Sequence, residues 1–508
     1  MKKLLALSTV AAIAVSGLMA DTAADIDKLQ KDVERLKKSL AEVKAHDGGD
    51  NIKWDVDFRT SVDMLNYKTM QKNEYKNDSL YANRLWLGMG YAPSDNLVFK
   101  GQLAFNKAFG AAPTNAATGF PQRGYGYDSF DWVLNENLTD DTLRVREAYW
   151  LYKNDSLFGS DVSWTASFGR RPSTNGFLAN LREDDKAKSP LGHVINMEFD
   201  GASFKFGFDK VTGVDGMYFK LCLGRGLTNA RSRFNMDGGF AALGDYAEDR
   251  TTLEDVDMAG FIFVPYDDGQ YSIETTYYRG FNVPGFQTAN LTNTGMINTS
   301  TATFNAAGVT MYNMGDMDGA AVSFMANGIG DGISDFLDDT VVFASVAMSK
   351  TRPDNELTTM YFDNTMTPFF AQAGMLGTTQ EKTGSSIWVG AQIPAMITED
   401  GRIGFEYNHG SKYWRPFTYG EDTMAGSKIA TRGDAYEAYF TQPLTEGLSM
   451  QLRGTYMEYD YTGSQGFFGD GGTPYDLNNP MTVAGLTAMG MDPVTEATDI
   501  RLYFRYRY

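Results

Sequence analysis

The 508-residue chain carries a single cysteine, Cys222, and only three histidines. One thiol cannot close an intramolecular disulfide, so no covalent staple shapes the fold. After residue 20 no apolar run approaches the ~20 residues that a membrane-spanning helix needs. That leaves a soluble exported protein or a β-barrel. Positive charge is scarce: 45 Lys and Arg stand against 64 Asp and Glu, a net charge of −19 with a pI of about 4.7. Such a balance argues against nucleic acid as a partner. Gly-x-Ser-x-Gly, His-Glu-x-x-His and Walker loops are missing, and no pattern calls for a cofactor or a metal. His46, His193 and His409 have no Ser/Asp arrangement beside them, so the residues point away from an enzyme.

What is present begins with an address. Lys2 and Lys3 precede the apolar run Leu4 to Leu18, and Ala20 is a small residue before a cut. Residues 1–20 therefore read as a secretory signal peptide, with cleavage after Ala24 as an alternative. Ile26, Leu29, Val33, Leu36, Leu40 and Val43 then recur at intervals of 3 and 4 among charged residues. This a/d seam predicts a coiled-coil helix over 21–45. So short a helix is marginal alone in water and implies a partner; the a and d choices lean towards a dimer. Residues 46–51 (His-Asp-Gly-Gly-Asp-Asn) form a linker.

From Ile52 the period changes to 2. Ile52, Trp54, Val56 and Phe58 alternate with Lys53, Asp55, Asp57 and Arg59. The same alternation predicts strands near 52–64, 81–91, 97–105, 143–153, 161–170, 201–209, 216–226 and 255–266. It continues near 270–281, 318–328, 340–350, 384–394, 402–411, 431–443, 448–461 and 497–508. Long connections, near 65–79, 107–142, 171–200, 227–254, 282–317, 351–383, 412–430 and 462–496, alternate with short turns such as Asn154-Asp155 and Glu446-Gly447. A soluble sandwich has no reason to gather its long connections at one end. A transmembrane antiparallel β-barrel does, and closure satisfies every backbone group in lipid. The expected fold is all-β: a barrel of about 16 strands over residues 52–508, or 18 if a long loop hides a hairpin, preceded by the short coiled coil.

Parity sorts the charges. Lys53, Arg59, Arg84, Lys100, Arg144, Arg146, Arg453, Arg501 and Arg505, with Asp55, Asp57, Glu274 and Glu406, stand opposite the apolar set. On a lipid-facing wall each would cost ~2–4 kcal/mol near the midplane, so they are expected to line a wet, somewhat basic lumen. Glu147 falls on the outward parity, which predicts a rim position or a bulge there. Trp54, Tyr91, Trp150, Trp164, Tyr266, Trp388 and Phe440 are expected in interfacial girdles. The third long connection carries both signs of charge: Arg170, Arg171, Arg182, Glu183, Asp184, Asp185 and Lys186. Folded inward, it would narrow the lumen and sort solutes by size and charge. The last loop holds Asp470, Asp476, Asp492 and Glu496 without Lys or Arg. This is ordinary loop solubility or divalent-cation bridging to anionic surface lipid. The final strand should pair with the first and place Arg501, Arg505 and Arg507 opposite Asp55, Asp57 and Arg59.

Together these features resemble the trimeric general and substrate-selective porins of Gram-negative bacteria. More narrowly, the chain looks like a family of coiled-coil-bearing, porin-like outer-membrane proteins known only as a domain of unknown function. The segments that carry this are Leu143-Arg144-Val145-Arg146-Glu147-Ala148-Tyr149, Ser167-Phe168-Gly169-Arg170-Arg171-Pro172, Phe199-Asp200-Gly201-Ala202-Ser203-Phe204 and Gly404-Phe405-Glu406-Tyr407-Asn408-His409-Gly410. The resemblance implies a homotrimer in outer-membrane lipid and lipopolysaccharide, passive diffusion, and constriction by the third loop. It also implies that Phe504, Tyr506 and Tyr508 are read by the barrel-assembly machinery, although porins more often end in Phe. The competing expectation is a structural or adhesive barrel tethered to peptidoglycan through its coiled coil.

Overall fold

The computed structural model describes residues 52–508, apart from stretches within 111–142, 231–253, 287–310, 355–379, 419–422 and 465–472 and single positions 174, 187, 331 and 489. The expected signal peptide, coiled-coil seam and linker, and Asp470, lie outside the described residues.

Sixteen antiparallel strands close into a barrel. They are β1 Lys53–Thr69, β2 Glu74–Ser94, β3 Leu97–Ala108, β4 Arg144–Asn154, β5 Ser163–Ser173, β6 Ile195–Gly207, β7 Tyr218–Leu227 and β8 Val256–Asp267. There follow β9 Tyr271–Phe281, β10 Gly315–Asn327, β11 Val341–Pro353, β12 Lys382–Pro394, β13 Arg402–Gly410, β14 Gly433–Thr445, β15 Leu448–Tyr459 and β16 Val494–Arg507. Each pairs with its sequence neighbour, and β16 returns to pair with β1. Within the barrel the sixteen strands leave no open edge to present unpaired backbone groups.

The closing register is offset from the sequence expectation. Arg507 stands opposite Asp57, Arg505 opposite Arg59 and Arg501 opposite Asp63. Parity sets the face a residue takes but not how far two strands slide along each other. The first long loop is also corrected. β1 and β2 run on to Thr69 and Glu74, leaving a tight turn at 70–73. A register shift between Asp63 and Leu65 starts this extension. It is held by polar pairs such as Asn66 Nδ2 donating to Glu74 Oε1 at 3.0 Å. A hairpin without an apolar face gives no period-2 signal, so it read as loop. The lengthy turn at 328–340 contains a helical turn, Asp335–Asp338, whose N-terminus Ser334 caps by accepting from the Leu337 amide.

Elsewhere the pleat separates two faces. On β1, Asp57, Arg59, Ser61 and Asp63 are buried inside while Phe58 and Met64 are exposed outside. Val145, Trp150, Phe261, Val322, Val346, Ile387, Phe405 and Leu452 continue the outer apolar band. Such a band facing water would be a large exposed apolar surface; facing lipid it is stabilising. The expected irregularity at Glu147 is a bulge: Gln102 pairs with Glu147 and Leu103 with Val145. The extra residue turns both Arg146 and Glu147 inward.

Trp388 is a third correction. It is fully buried inside the barrel rather than in a girdle, with its indole donating to Glu406 Oε2 at 3.0 Å. On β12 the odd-numbered residues Thr383 to Val389 are exposed, so the even position Trp388 points inward.

Candidate functional site

Two connections from the end of the barrel that carries the long loops fold into its interior. The first, between β5 and β6 (here L3), runs through residues 174–194. The second, between β13 and β14 (here L7), runs through 411–432.

The tip of L3 is an ionic hub. Ala179–Arg182 form one helical turn that presents Arg182 and Glu183. Both Arg182 Nη1 contacts to the Glu437 carboxylate of β14 are 3.2 Å. Glu183 accepts from Arg453 of β15 at 2.6 Å and from the Tyr503 hydroxyl of β16 at 3.4 Å, and lies 3.6 Å from Arg59 of β1. Arg505 donates to the Glu183 carbonyl at 2.7 Å and to Asp185 at 2.8 Å, and pairs with Asp57. Arg507 reaches Asp184 at 3.1 Å. Gln392 and Gln451 donate to the Leu181 and Arg182 carbonyls. Burial works against the charge of Arg182, but the Glu437 carboxylate holds its guanidinium protonated well above the usual range.

The return half of L3 is pinned to the opposite walls. Lys188 donates to Glu147 of β4 at 2.9 Å. Burial, with Arg146 nearby, lowers the Lys188 ammonium, and Glu147 opposes that shift. Lys220 of β7 donates to Ser189, and the Leu191 amide donates to Thr276 of β9. L3 therefore crosses the lumen from wall to wall.

His193 sits between Ser345 of β11 (2.8 Å from Nδ1) and Ser386 of β12 (2.9 Å from Nε2). Asn408 donates to Ser386, and Ser345 donates to the Val322 carbonyl. The arrangement is satisfied when Ser386 donates to Nε2 and Nδ1–H donates to Ser345. Burial alone pushes the imidazole down to about 3. A His flanked by two serines invites comparison with a hydrolytic pair. This ring is completely buried, edge-on to Trp388 and Trp414, so no substrate reaches it and the pair acts as a pin.

Around His193 the lumen is apolar. Phe177, Leu178, Leu191 and Val194 of L3 pack on inward Tyr278, Met317, Phe343 and Trp388, with Trp414, Phe417 and Ile429 of L7 closing the cluster. The Phe417 amide donates to the Val194 carbonyl, which joins the two loops. Lys428 of L7 bridges Glu406 (2.5 Å) and Glu437 (2.6 Å).

The residues expected to line the channel fall in three settings. Arg59, Arg84, Arg146, Glu274, Glu406, Arg453, Arg501 and Arg505 are buried inside. Arg84 and Arg146 sandwich inward Trp86, 3.6 and 4.0 Å from its ring. Lys53, Asp55 and Lys100 are exposed near the end with short turns, and Arg144 is half-buried. In the third-loop set, Arg170 joins Glu198 at 3.1 Å, Arg171 lies over Tyr149, and Asp184 and Lys186 are exposed. Sequence reasoning missed Glu437 and Trp86, although parity with exposed Tyr436 and with Leu85 and Leu87 marks both as inward. It also missed Lys428, which lies in a loop where no period exists. In the last loop, Asp492 serves the β1–β2 turn by accepting from Gln71, Asn73 and Thr69, and Glu496 belongs to β16, paired with Lys68. Among the described residues no group of three His, Cys, Asp or Glu is placed to hold a metal.

A closed barrel with an apolar exterior and an interior crossed by a charged loop is a transmembrane β-barrel. The chain belongs to the family described as "Protein of unknown function (DUF3373)", whose model matches residues 74–508. No curated protein matches the sequence. In structure the chain is similar to OprB of Pseudomonas putida, with 12% identity, TM-score 0.44, and 92% of this chain and 96% of that one covered. It is similar to OmpF of Salmonella typhi at 12% identity and TM-score 0.43, covering 91% and 99%. It is also similar to an anion-selective porin of Comamonas acidovorans at 9% identity and TM-score 0.45, covering 90% and 99%.

Proposed function

We propose that this protein is an outer-membrane porin: a channel for passive diffusion of small hydrophilic solutes, with an anion bias, narrowed by L3. The observation that carries the reading is the Arg59–Glu183–Arg453 bridge, which draws L3 across the barrel interior. A loop so placed controls passage, and the cations around it favour anionic solutes. In this reading the long loops are extracellular, the short turns and the N-terminus are periplasmic, and the barrels form a homotrimer. Phe504, Tyr506 and Tyr508 face outward on the closing strand and serve as the assembly signal. Lipopolysaccharide surrounds the loop end.

Single-channel recording in planar bilayers tests the reading. Discrete conductance steps with a reversal potential on the anion side are expected. A barrel that stays sealed sinks the pore, and strong cation selectivity sinks the bias. A second reading is a structural barrel tethered to peptidoglycan by its coiled coil. The observation that favours it is how fully Arg182, Glu183 and Leu191 are buried across the lumen. Removal of residues 21–50 discriminates the two: a pore keeps its conductance, whereas a tether loses envelope attachment.

A further inference from the structure

The lipid-facing wall is not uniform. One register row across β12–β16 reads Ala391, Phe405, Ala438, Gly454 and Ile500. A Cβ added at Gly454 would meet nothing within 4 Å. The neighbouring row towards the loop end projects Tyr407, Tyr436 and Tyr456, with ring centroids 5.2 and 6.4 Å apart. Beneath this shelf the wall is hollowed into an open, mostly apolar groove of about 750 Å³. Within a bilayer, where lipid is as apolar as any side chain, small residues favour association by letting another surface approach closely.

The N-terminal sequence says what approaches. The heptad seam ends at Val43 and β1 begins at Lys53, with linker residues 46–51 between. From residue 45 to Lys53 the chain takes eight steps and spans at most ~29 Å. Sixteen strands ~4.8 Å apart and tilted ~40° make a barrel ~32 Å across at the backbone. Barrels that share a coiled coil on their common axis must keep the foot of β1 within the linker's reach. Turning β1 away would add a whole diameter to the span, more than the linker supplies. The β16–β1 seam therefore faces the axis, and the groove beside it lies on the flank that meets the next copy.

We propose that the groove over Ala438 and Gly454 is a subunit interface that receives a second copy of this chain. The contact is head-to-tail, as a closed ring requires. The surface that enters it is the flank on the other side of the seam, where Met64, Tyr81 and Phe99 project. This inference rests on the homotrimer reading and adds which wall makes the contact.

Native mass spectrometry of the full mature chain in mild detergent tests it, with heat-modifiable gel mobility as the check of folding. Gly454→Trp fills the groove and should convert trimer to folded monomer at unchanged conductance per barrel. Val346→Trp, on exposed β11 away from the seam, should remain trimeric. If Gly454→Trp does not fold, cysteine cross-linking in a Cys222→Ser background replaces it. Gly454→Cys with Met64→Cys should then give intermolecular disulfides that Val346→Cys does not. A folded Gly454→Trp trimer, or cross-linking no greater than from Val346→Cys, overturns the proposal. So does a lipid molecule that the substitution displaces without altering the oligomer. A monomeric wild type overturns the trimer reading as well, whereas a wild-type trimer indifferent to Gly454→Trp overturns the groove alone.

Discussion

L3 is anchored at its tip and along its return by different physics. The return half lies in an apolar cluster where Leu191 and Val194 are completely buried, beside Leu178 from the outgoing half. Each such side chain contributes about 1.5–3 kcal/mol relative to exposure. The tip lies among Arg59, Arg182, Arg453, Arg505, Glu183 and Glu437. There the Coulomb gain roughly cancels the desolvation cost, so the ion pairs add little net stability while intact. Removing one partner is another matter, since it strands the rest. The apolar half therefore supplies most of the affinity for the wall. The ionic half dictates where the tip sits, so under the proposed pore reading a small chemical change there should have the largest effect on passage.

Glu183→Gln should break this contrast most strongly. It leaves Arg59 and Arg453 converging without the Glu183 carboxylate between them, at a cost of about 3–5 kcal/mol. Single-channel conductance should rise with a shift towards anions; an unchanged conductance would mean that the tip does not hold the constriction. Leu191→Ala should cost about 3 kcal/mol at the other anchor. It should lower the temperature of heat-induced gel mobility change, and this loss should be insensitive to salt. A salt-dependent loss would show that the two halves are not separate.

His193 gives a smaller, graded effect. Docked, its pKa is about 3; released into water it is about 6.5. Below pH 6.5 the released loop takes up a proton that the docked loop refuses, so docking weakens as pH falls, by about tenfold per unit until pH 3. Current fluctuations should grow between pH 6.5 and 5 in the wild type and stay flat in His193→Gln. Asp492→Asn should have the least effect, about 1 kcal/mol confined to the β1–β2 turn. Faster amide exchange at Gln71 would register it, while conductance stays as in the wild type.

Much of the barrel was legible because strand parity is a local property. Two-residue alternation placed all sixteen staves and anticipated the bulge at Glu147. It failed where a strand has no apolar face, as at the β1–β2 hairpin beyond Met64. The charged run Arg182 to Lys186 flagged L3, yet nothing in it says which charges meet. Parity also marked inward charges more readily than inward apolar groups. Tyr278, Phe343 and Trp388 were therefore not seen as the floor of an apolar cluster, and the lumen was expected to be wet throughout.

By itself the sequence determined a closed antiparallel barrel, the faces of its strands, and the division between long and short connections. Those follow from hydrogen-bond closure and from the cost of charge against lipid, both written in residues close together along the chain. Only the tertiary structure decided that L3 docks across the lumen, that an apolar cluster occupies part of that lumen, and that Lys428 joins Glu406 to Glu437. Such choices depend on partners far apart in sequence, 270 residues in the case of Glu183 and Arg453. The burial of one decides whether the charge of the other is stabilised.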